Sequence, residues 1–350
     1  MDNNNNYLPG SVSSAFVRLF LRTAQDYGVT PSDALDNCDI GRGVLDNTVQ
    51  RISANEFQRL MRWLIITTDD PLFGLKSARH LMPGAFGMVG YLIMSCRTGG
   101  EALRLVPRYE SLIGNLGHTE LNEEGNTFAI SWVSTCDDDL VRPHLVEEYM
   151  ATTVEYARWV TGRPEIHPIR VYLDHKSPGD TYLTAYRDIF KCEVTFDAGA
   201  NKMEFSPELM SLPMHQPDPL LLKTLQEQAD RMTRDLQQSD PIVVQVRSTL
   251  LAMMETSIPR RERVASRLGM SERTLQRRLL EAESSYQQIL DDLRQQLAED
   301  WLLSQNWSVS EIAARLGFTE PRSFQRRFKT WTGFSPGEFR KQRQRQSESA

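Results

Sequence analysis

A chain of 350 residues, 40% of them hydrophobic, has room for two domains with separate cores, and its formal charge of −6 excludes an indiscriminate polyanion binder. Its four cysteines, Cys38, Cys96, Cys136 and Cys192, are scattered without paired spacing, which excludes a disulfide scaffold and fits reduced core residues. No apolar stretch approaches the ~20 residues that span a bilayer, and the asparagine-rich start has the features of no targeting peptide, so a cytoplasmic protein without membrane contact is expected.

Residues 1–10 read as a disordered tail, and residues 11–236 mix helical and strand patterns. Ser53-Ala54-Asn55-Glu56 and Thr98-Gly99-Gly100-Glu101 have the spacing of capping boxes. Each opens a helix with an apolar stripe, Phe57, Leu60, Met61 and Leu64 in one, Ala102, Leu105, Val106 and Tyr109 in the other. Phe128, Ile130 and Trp132 alternate with small or polar residues, as in a half-buried strand, and Ile169–Leu173 is a second short strand. Val194–Phe196 and Met203–Phe205 flank the turn-rich Asp197-Ala198-Gly199-Ala200-Asn201 and predict a hairpin. Helices first and strands later indicate an α+β domain.

Nothing in this region assembles a catalytic site. The six histidines include no pair at metal-ligand spacing, and Asp137-Asp138-Asp139 reads as a solvated loop. There is no phosphate loop, no nucleophile elbow and no cysteine with basic neighbours on both sides, so no enzyme activity, metal or cofactor is expected.

Leu222, Leu225, Ala229, Met232 and Leu236 recur at spacings of 3, 4, 3 and 4, two heptads of a coiled-coil seam. Such a seam makes a homodimer; the same stripe can also pack on its own domain, and the pattern leaves both open. The polar run 237–241 ends in Pro241 and reads as a linker. A helix over 242–256, with Val243, Val246, Leu250 and Met254 on one stripe, opens an all-α domain over 242–345.

Within that domain the chain nearly repeats itself. Val264-Ala265-Ser266-Arg267-Leu268-Gly269-Met270-Ser271-Glu272 returns 48 residues later as Ile312-Ala313-Ala314-Arg315-Leu316-Gly317-Phe318-Thr319-Glu320. Leu275-Gln276-Arg277-Arg278-Leu279 follows the first copy and Phe324-Gln325-Arg326-Arg327-Phe328 the second. Each copy reads as a short helix, a glycine turn and a second helix opened by Ser or Thr, which is a helix-turn-helix. Two in tandem imply contact with two neighbouring major-groove segments of double-stranded DNA. In the first copy Leu275 and Leu279 face inward while Arg273, Thr274, Gln276 and Arg277 face out; in the second, with one residue inserted in its turn, Pro321, Arg322, Gln325 and Arg326 do. Arg and Gln suit such a face because they pair bidentately with guanine and adenine. Between the copies Tyr286, Leu290, Leu293, Leu297 and Trp301 mark one long helix from Ser285 to about Ser304, roughly 30 Å at 1.5 Å per residue. Ser308-Val309-Ser310-Glu311 and Ser335-Pro336-Gly337-Glu338 are further capping boxes. Residues 255–350 carry 17 Lys+Arg against 13 Asp+Glu, a formal +4, which leaves 23 against 33, or −10, upstream. The basic part is almost all arginine, the better fork for bases and phosphates.

These residues resemble the AraC/XylS family of bacterial transcription regulators, whose C-terminal module joins two helix-turn-helix units by a linker helix. The resemblance rests on the two repeats, on Lys329 and on Gly333-Phe334-Ser335-Pro336-Gly337-Glu338-Phe339-Arg340, about 100 residues in all. It implies base readers at Arg273, Gln276 and Arg277, then at Pro321, Arg322, Gln325 and Arg326. Arg322 departs from the small polar residue common there, and Pro321 has no donor for a base. Upstream, Phe73-Gly74-Leu75, Pro83-Gly84-Ala85-Phe86-Gly87 and Gly90-Tyr91 resemble the arabinose-binding-like N-terminal domain of a branch of the same family. The resemblance implies a dimeric regulator, an activator acting with RNA polymerase, controlled by a small-molecule effector that need not be a sugar. The alternative is a ligand-free dimerisation or protein-docking domain upstream.

Overall fold

A computed structural model describes residues 10–46, 51–124, 126–238, 241–254, 260–282, 284–304 and 307–340. The expected tail lies outside them except for Gly10, as do 239–240 of the expected linker and 255–256 of the helix expected there. The chain divides into two compact units, the first ending with the helix Pro219–Gln238 and the second beginning with the helix Pro241–Met254. The expected linker is therefore mostly helix: 237, 238 and 241 belong to the flanking helices. Polar composition and a proline marked the boundary, but proline is also well tolerated as the first residue of a helix.

The first unit opens with β1 (Ser11–Ser13), α1 (Ser14–Gln25), α2 (Pro31–Asn37), α3 (Gly43–Asp46), β2 (Arg51–Ser53) and α4 (Ala54–Thr68). Then come α5 (Phe73–Lys76), α6 (Met88–Met94), α7 (Gly99–Tyr109), β3 (Gly117–Glu124), β4 (Thr127–Ser134) and α8 (Val141–Thr161). It closes with β5 (Arg170–Tyr172), α9 (Leu183–Phe190), β6 (Glu193–Thr195), β7 (Lys202–Phe205) and α10 (Pro219–Gln238). This is the expected α+β mixture. The capping box at Ser53 forms in both directions, with Ser53 Oγ accepting from the Glu56 amide and the Glu56 carboxylate accepting from the Ser53 amide. At Thr98 only half of it forms: Thr98 caps the Glu101 amide, but the Glu101 carboxylate turns back to the Arg97 amide at 2.7 Å. Phe57, Leu60, Met61 and Leu64 are fully buried, as their spacing requires.

The larger sheet has the order β3-β4-β7-β5-β6. β3 and β4 pair antiparallel from Gly117↔Ser134 to Glu124↔Thr127, and β4 meets β7 with Ile130 opposite Met203. Here the hairpin expectation fails. β5 lies between β6 and β7, parallel to the first and antiparallel to the second. The connecting loop crosses the end of β5, where the Asp197 and Ala198 amides donate to the His175 and Leu173 carbonyls, each at 3.0 Å. Asn201 Oδ1 accepts from the Asp174 amide at 2.9 Å. Alternation identifies a strand but not its neighbour, and a turn-rich loop also suits a crossing that has to satisfy a third strand's end.

α8 runs through the middle of this unit, with Leu145, Val146, Met150, Ala151 and Val154 buried. α5 touches it directly. A Cβ on Gly74 would stand 2.1 Å from the His144 carbonyl oxygen, so the Phe73-Gly74-Leu75 segment needs glycine for close approach. The Gly74 amide donates to His144 Nδ1 at 3.2 Å, and burial lowers the pKa of that imidazole to about 4, so it is neutral.

α10 packs on the same unit. Leu222 and Ala229 are buried among Val89, Leu92, Leu105 and Tyr109, with Leu225, Met232 and Leu236 partly buried on the same cluster. Asp230 ties the helix to α7, accepting from Tyr109 Oη at 2.7 Å and from Arg108 at 2.8 Å. The stripe that could form an intermolecular seam is occupied inside the chain. Two heptads are short enough for an ordinary amphipathic helix to imitate a coiled coil.

The second unit is helical: α11 (Pro241–Met254), α12 (Arg261–Arg267), α13 (Glu272–Glu281), α14 (Tyr286–Ser304), α15 (Val309–Arg315) and α16 (Pro321–Thr332), followed by a helical stretch at 336–340. One core joins all of them. Val246 and Leu250 of α11, Val264 and Ala265 of α12, Leu275 and Leu279 of α13, and Leu293 and Leu297 of α14 are buried together with Ile312, Ala313, Phe324, Phe328 and Phe339.

Candidate nucleic-acid interface and ligand cavity

Both helix-turn-helix units form. In the first, Gly269 ends the α12 segment at φ 67°, in the left-handed region that glycine enters without cost, and half-buried Met270 joins the core behind the turn. Ser271 caps α13, its Oγ accepting from the Thr274 amide at 3.2 Å. Leu275 and Leu279 anchor α13 inward, which leaves Arg273, Gln276 and Arg277 exposed along its outer face. Thr274 is half-buried, and its hydroxyl meets Ser271 Oγ at 2.8 Å, so it is engaged at the helix start. Arg277 is close to one carboxylate, Glu281 at 4.0 Å, an exposed pair of little strength.

The second unit repeats this plan with one difference. Gly317 takes φ 77°, but α16 is opened by Glu320 without a side-chain cap, and Pro321 is its first residue. The expectation that Ser or Thr opens each second helix holds for Ser271 and fails here. Proline at the first helical position compensates in part, since its φ is already set and it lacks one of the donors that a cap would satisfy. Fully buried Phe324 and Phe328 anchor α16, and Pro321, Arg322, Gln325 and Arg326 are exposed. The capping boxes at Ser308 and Ser335 form in both directions.

Three of the arginines in this unit hold partners within it. Arg327 of α16 pairs with Asp291 of α14. Arg294 donates to the Leu316 carbonyl at 2.9 Å and lies 4.6 Å from the centre of the Phe318 ring. Arg340 donates to the Leu302 and Trp307 carbonyls at 2.9 and 2.7 Å. These three guanidiniums fasten the second helix-turn-helix to the long helix α14. Their partners are not legible in the sequence, because a basic side chain on an amphipathic helix looks the same whether its partner is a phosphate or a neighbouring carbonyl.

The first unit holds a cavity of about 160 Å³ between α7, α8 and the β3–β4 hairpin. Phe16, Phe86, Val106, Ile130, Trp132 and Tyr156 give it a mostly apolar wall. Its polar lining includes Glu110, Thr119, Glu148, Tyr149 and Thr152. Thr119 donates its amide to Glu110 at 3.0 Å and its hydroxyl at 2.6 Å, and that hydroxyl lies 2.8 Å from Tyr149 Oη. Trp132 and Tyr149 stack with ring centres 5.1 Å apart. Burial pushes Glu148 up to about 8, Thr152 acting weakly the other way. Glu147, one residue back on α8, is raised to about 8 by burial and bonded by Tyr186. The adjacent Glu147 and Glu148 inside the otherwise apolar run of α8 were the one visible sign of this site in the sequence.

The described residues hold no cluster of His, Cys, Asp and Glu that could bind a metal. Cys38, Cys96, Cys136 and Cys192 are free, and burial raises the first, third and fourth thiols to about 11 and Cys96 to about 12, which keeps them protonated and unreactive. No helix among the described residues is long and apolar enough to cross a membrane.

Residues 28–214 match the family described as the arabinose-binding domain of AraC transcription regulators, and residues 264–342 match a helix-turn-helix domain family. The chain is 26% identical over 335 residues to the ornithine utilization regulator of Pseudomonas aeruginosa, covering 96% of this chain and 98% of that protein. It is 42% identical over 76 residues to the HTH-type transcriptional regulator VqsM of Pseudomonas aeruginosa, 22% of this chain and 23% of the relative. Among solved structures, the transcriptional regulator CdpR from Pseudomonas aeruginosa aligns with a TM-score of 0.46 and 21% identity over 92% of this chain and 98% of that one. The chain belongs to the AraC family of DNA-binding transcription regulators, with an arabinose-binding-like N-terminal domain and a helix-turn-helix C-terminal domain.

Proposed function

We propose that this protein is a cytoplasmic, effector-controlled activator that binds promoter DNA as a homodimer and acts with RNA polymerase. The observation that carries effector control is the largely apolar cavity, in which Glu110, Thr119 and Tyr149 are held in place by one another. DNA is contacted by Arg273, Gln276 and Arg277 in one major-groove segment and by Arg322, Gln325 and Arg326 in the next; Thr274 positions the first recognition helix. The regulatory domain spans 11–236 and the DNA-binding domain 242–345.

The path for the signal starts at α7. One face of α7, through Ala102, Leu103 and Val106, lines the cavity, and its last turn holds α10 through Tyr109 and Asp230. An effector that shifts α7 moves the final helix of the regulatory domain. The ornithine in the name of one relative does not transfer to this chain, because an amino-acid carboxylate would meet no basic residue in the lining.

A metabolite screen by thermal unfolding of the full-length protein, followed by promoter titration with each hit, tests the reading. A metabolite that raises the melting temperature by mass action and changes promoter occupancy supports it. Asp230→Ala should then keep effector binding and lose the promoter response. A silent screen, with transcription following protein concentration alone, would establish a ligand-free dimerisation domain instead. Sedimentation of the full-length protein checks the dimer, and a monomer at micromolar concentration ends that part.

A further inference from the structure

The cavity is electrostatically one-sided. Two carboxyls, Glu110 and Glu148, line it, and no lysine, arginine or histidine does. Glu110 is already satisfied, with the Thr119 amide and hydroxyl on its oxygens. Glu148 is not. It is 4% exposed, its Oε1 accepts from Thr152 Oγ1 at 3.2 Å, and its Oε2 has no hydrogen-bond partner among the described residues. Burying a carboxyl without a counter-charge is costly, and ligand sites are where such a group gains its partner.

Resting on the reading of this cavity as the effector site, we propose that the effector is a compact hydrophobic amine whose ammonium pairs with Glu148. An acidic ligand would bury its own charge in a wall that holds two carboxyls and no cation. A sugar would leave most of its hydroxyls against apolar side chains, each losing its bonds to water. An amine meets neither obstacle. Its charge has the Glu148 carboxyl to pair with, which gives up its proton to solvent as the ammonium enters, and its body has an apolar wall. The volume matches a ligand of one ring or a short chain, since an engineered cavity of about 150 Å³ holds benzene. The family's arabinose label therefore does not describe the chemistry of this wall.

The experiment compares three shape-matched probes on the full-length protein by calorimetry and thermal unfolding: phenethylamine, phenethyl alcohol and hydrocinnamic acid. The amine should bind at least about tenfold more tightly than the alcohol, as one charge pairing requires, and the acid should give no shift. Glu148→Gln keeps the shape of the side chain and should bring the amine down to the level of the alcohol, with the alcohol unchanged as proof of an intact cavity. If the alcohol equals the amine in the unmodified protein, or the acid binds best, the amine proposal falls while the effector cavity stands. If amine affinity survives Glu148→Gln, the amine binds elsewhere and the assignment to Glu148 falls. If no probe binds and the metabolite screen is also silent, both readings fall.

Discussion

Arg277 and Arg326 occupy matching exposed positions, two residues after the buried anchors Leu275 and Phe324, yet they should not be equivalent. Arg277→Ala is expected to cost about 1–3 kcal/mol at the specific site with little loss on random duplex, as for a bidentate base contact. Arg326→Ala should cost less, because Pro321 offers its unit no donor for a neighbouring base. Arg327→Ala is a different case: it breaks the pair with Asp291, so it should lower the melting temperature of the helical unit as well as weaken DNA binding. Titrations against operator and random duplex at two salt concentrations, with melting curves, separate the three. Equal weakening of both duplexes by Arg277→Ala would make it a phosphate contact and move the recognition face. The outward position of these arginines was legible in the sequence because buried Leu and Phe at helical spacing define the opposite face. The fate of Arg294, Arg327 and Arg340 was not, since what captures each is a carbonyl or carboxylate far away in the chain.

The most instructive element is α10. Its heptad spacing correctly indicated one continuous apolar stripe, and the structure decides what the stripe covers: α6 and α7 of the same unit. Ala229→Glu places a charge at a fully buried position, and we expect the domain to lose more than about 2 kcal/mol of stability, seen as an early thermal transition. A variant that instead turns from dimer to monomer in sedimentation, with its melting temperature unchanged, would restore the intermolecular seam. β6 and β7 teach the same lesson. Each strand was legible as a short alternating segment, but the insertion of β5 between them depends on a third strand whose edge needed partners. The helix-turn-helix units were legible down to their glycines because a turn, a cap and a small-residue contact are local requirements.

At the scale of the whole molecule, the buried acids make the regulatory domain sensitive to pH. Burial holds Glu147 and Glu148 near 8 in the folded chain, against an ordinary carboxyl value near 4.5 when unfolded. The folded state therefore binds more protons between those values, and stability must fall as pH rises through that window. His144 acts in the opposite sense below about 6.5, where burial keeps it neutral while the unfolded chain is protonated, so the two effects oppose each other there. From about 6.5 to 8 the glutamates act without it, each lowering stability by up to about 1.4 kcal/mol per pH unit. Thermal unfolding between those limits should show the decline, and the double change Glu147→Gln with Glu148→Gln should flatten it. A wild-type profile that rises with pH would mean that both acids are ionised and paired in the folded chain.

The DNA-binding half of this protein was readable from its residues alone: two helix-turn-helix units, the long helix between them and the exposed polar faces of their second helices. Those features rest on contacts a few residues apart, and the 48-residue repeat writes each of them twice. For the regulatory half it determined the fold class and several elements, with the helix stripe at 222–236 left between two partners. That this stripe packs within the chain and that three arginines are fasteners became visible in the fold. Only the tertiary structure also brought Glu110 of the segment after α7, Thr119 of β3, Trp132 of β4 and Glu148 of α8 around one cavity. Cavities and ion pairs between distant elements depend on which surfaces meet, and a periodic apolar pattern states that a surface is buried without stating against what.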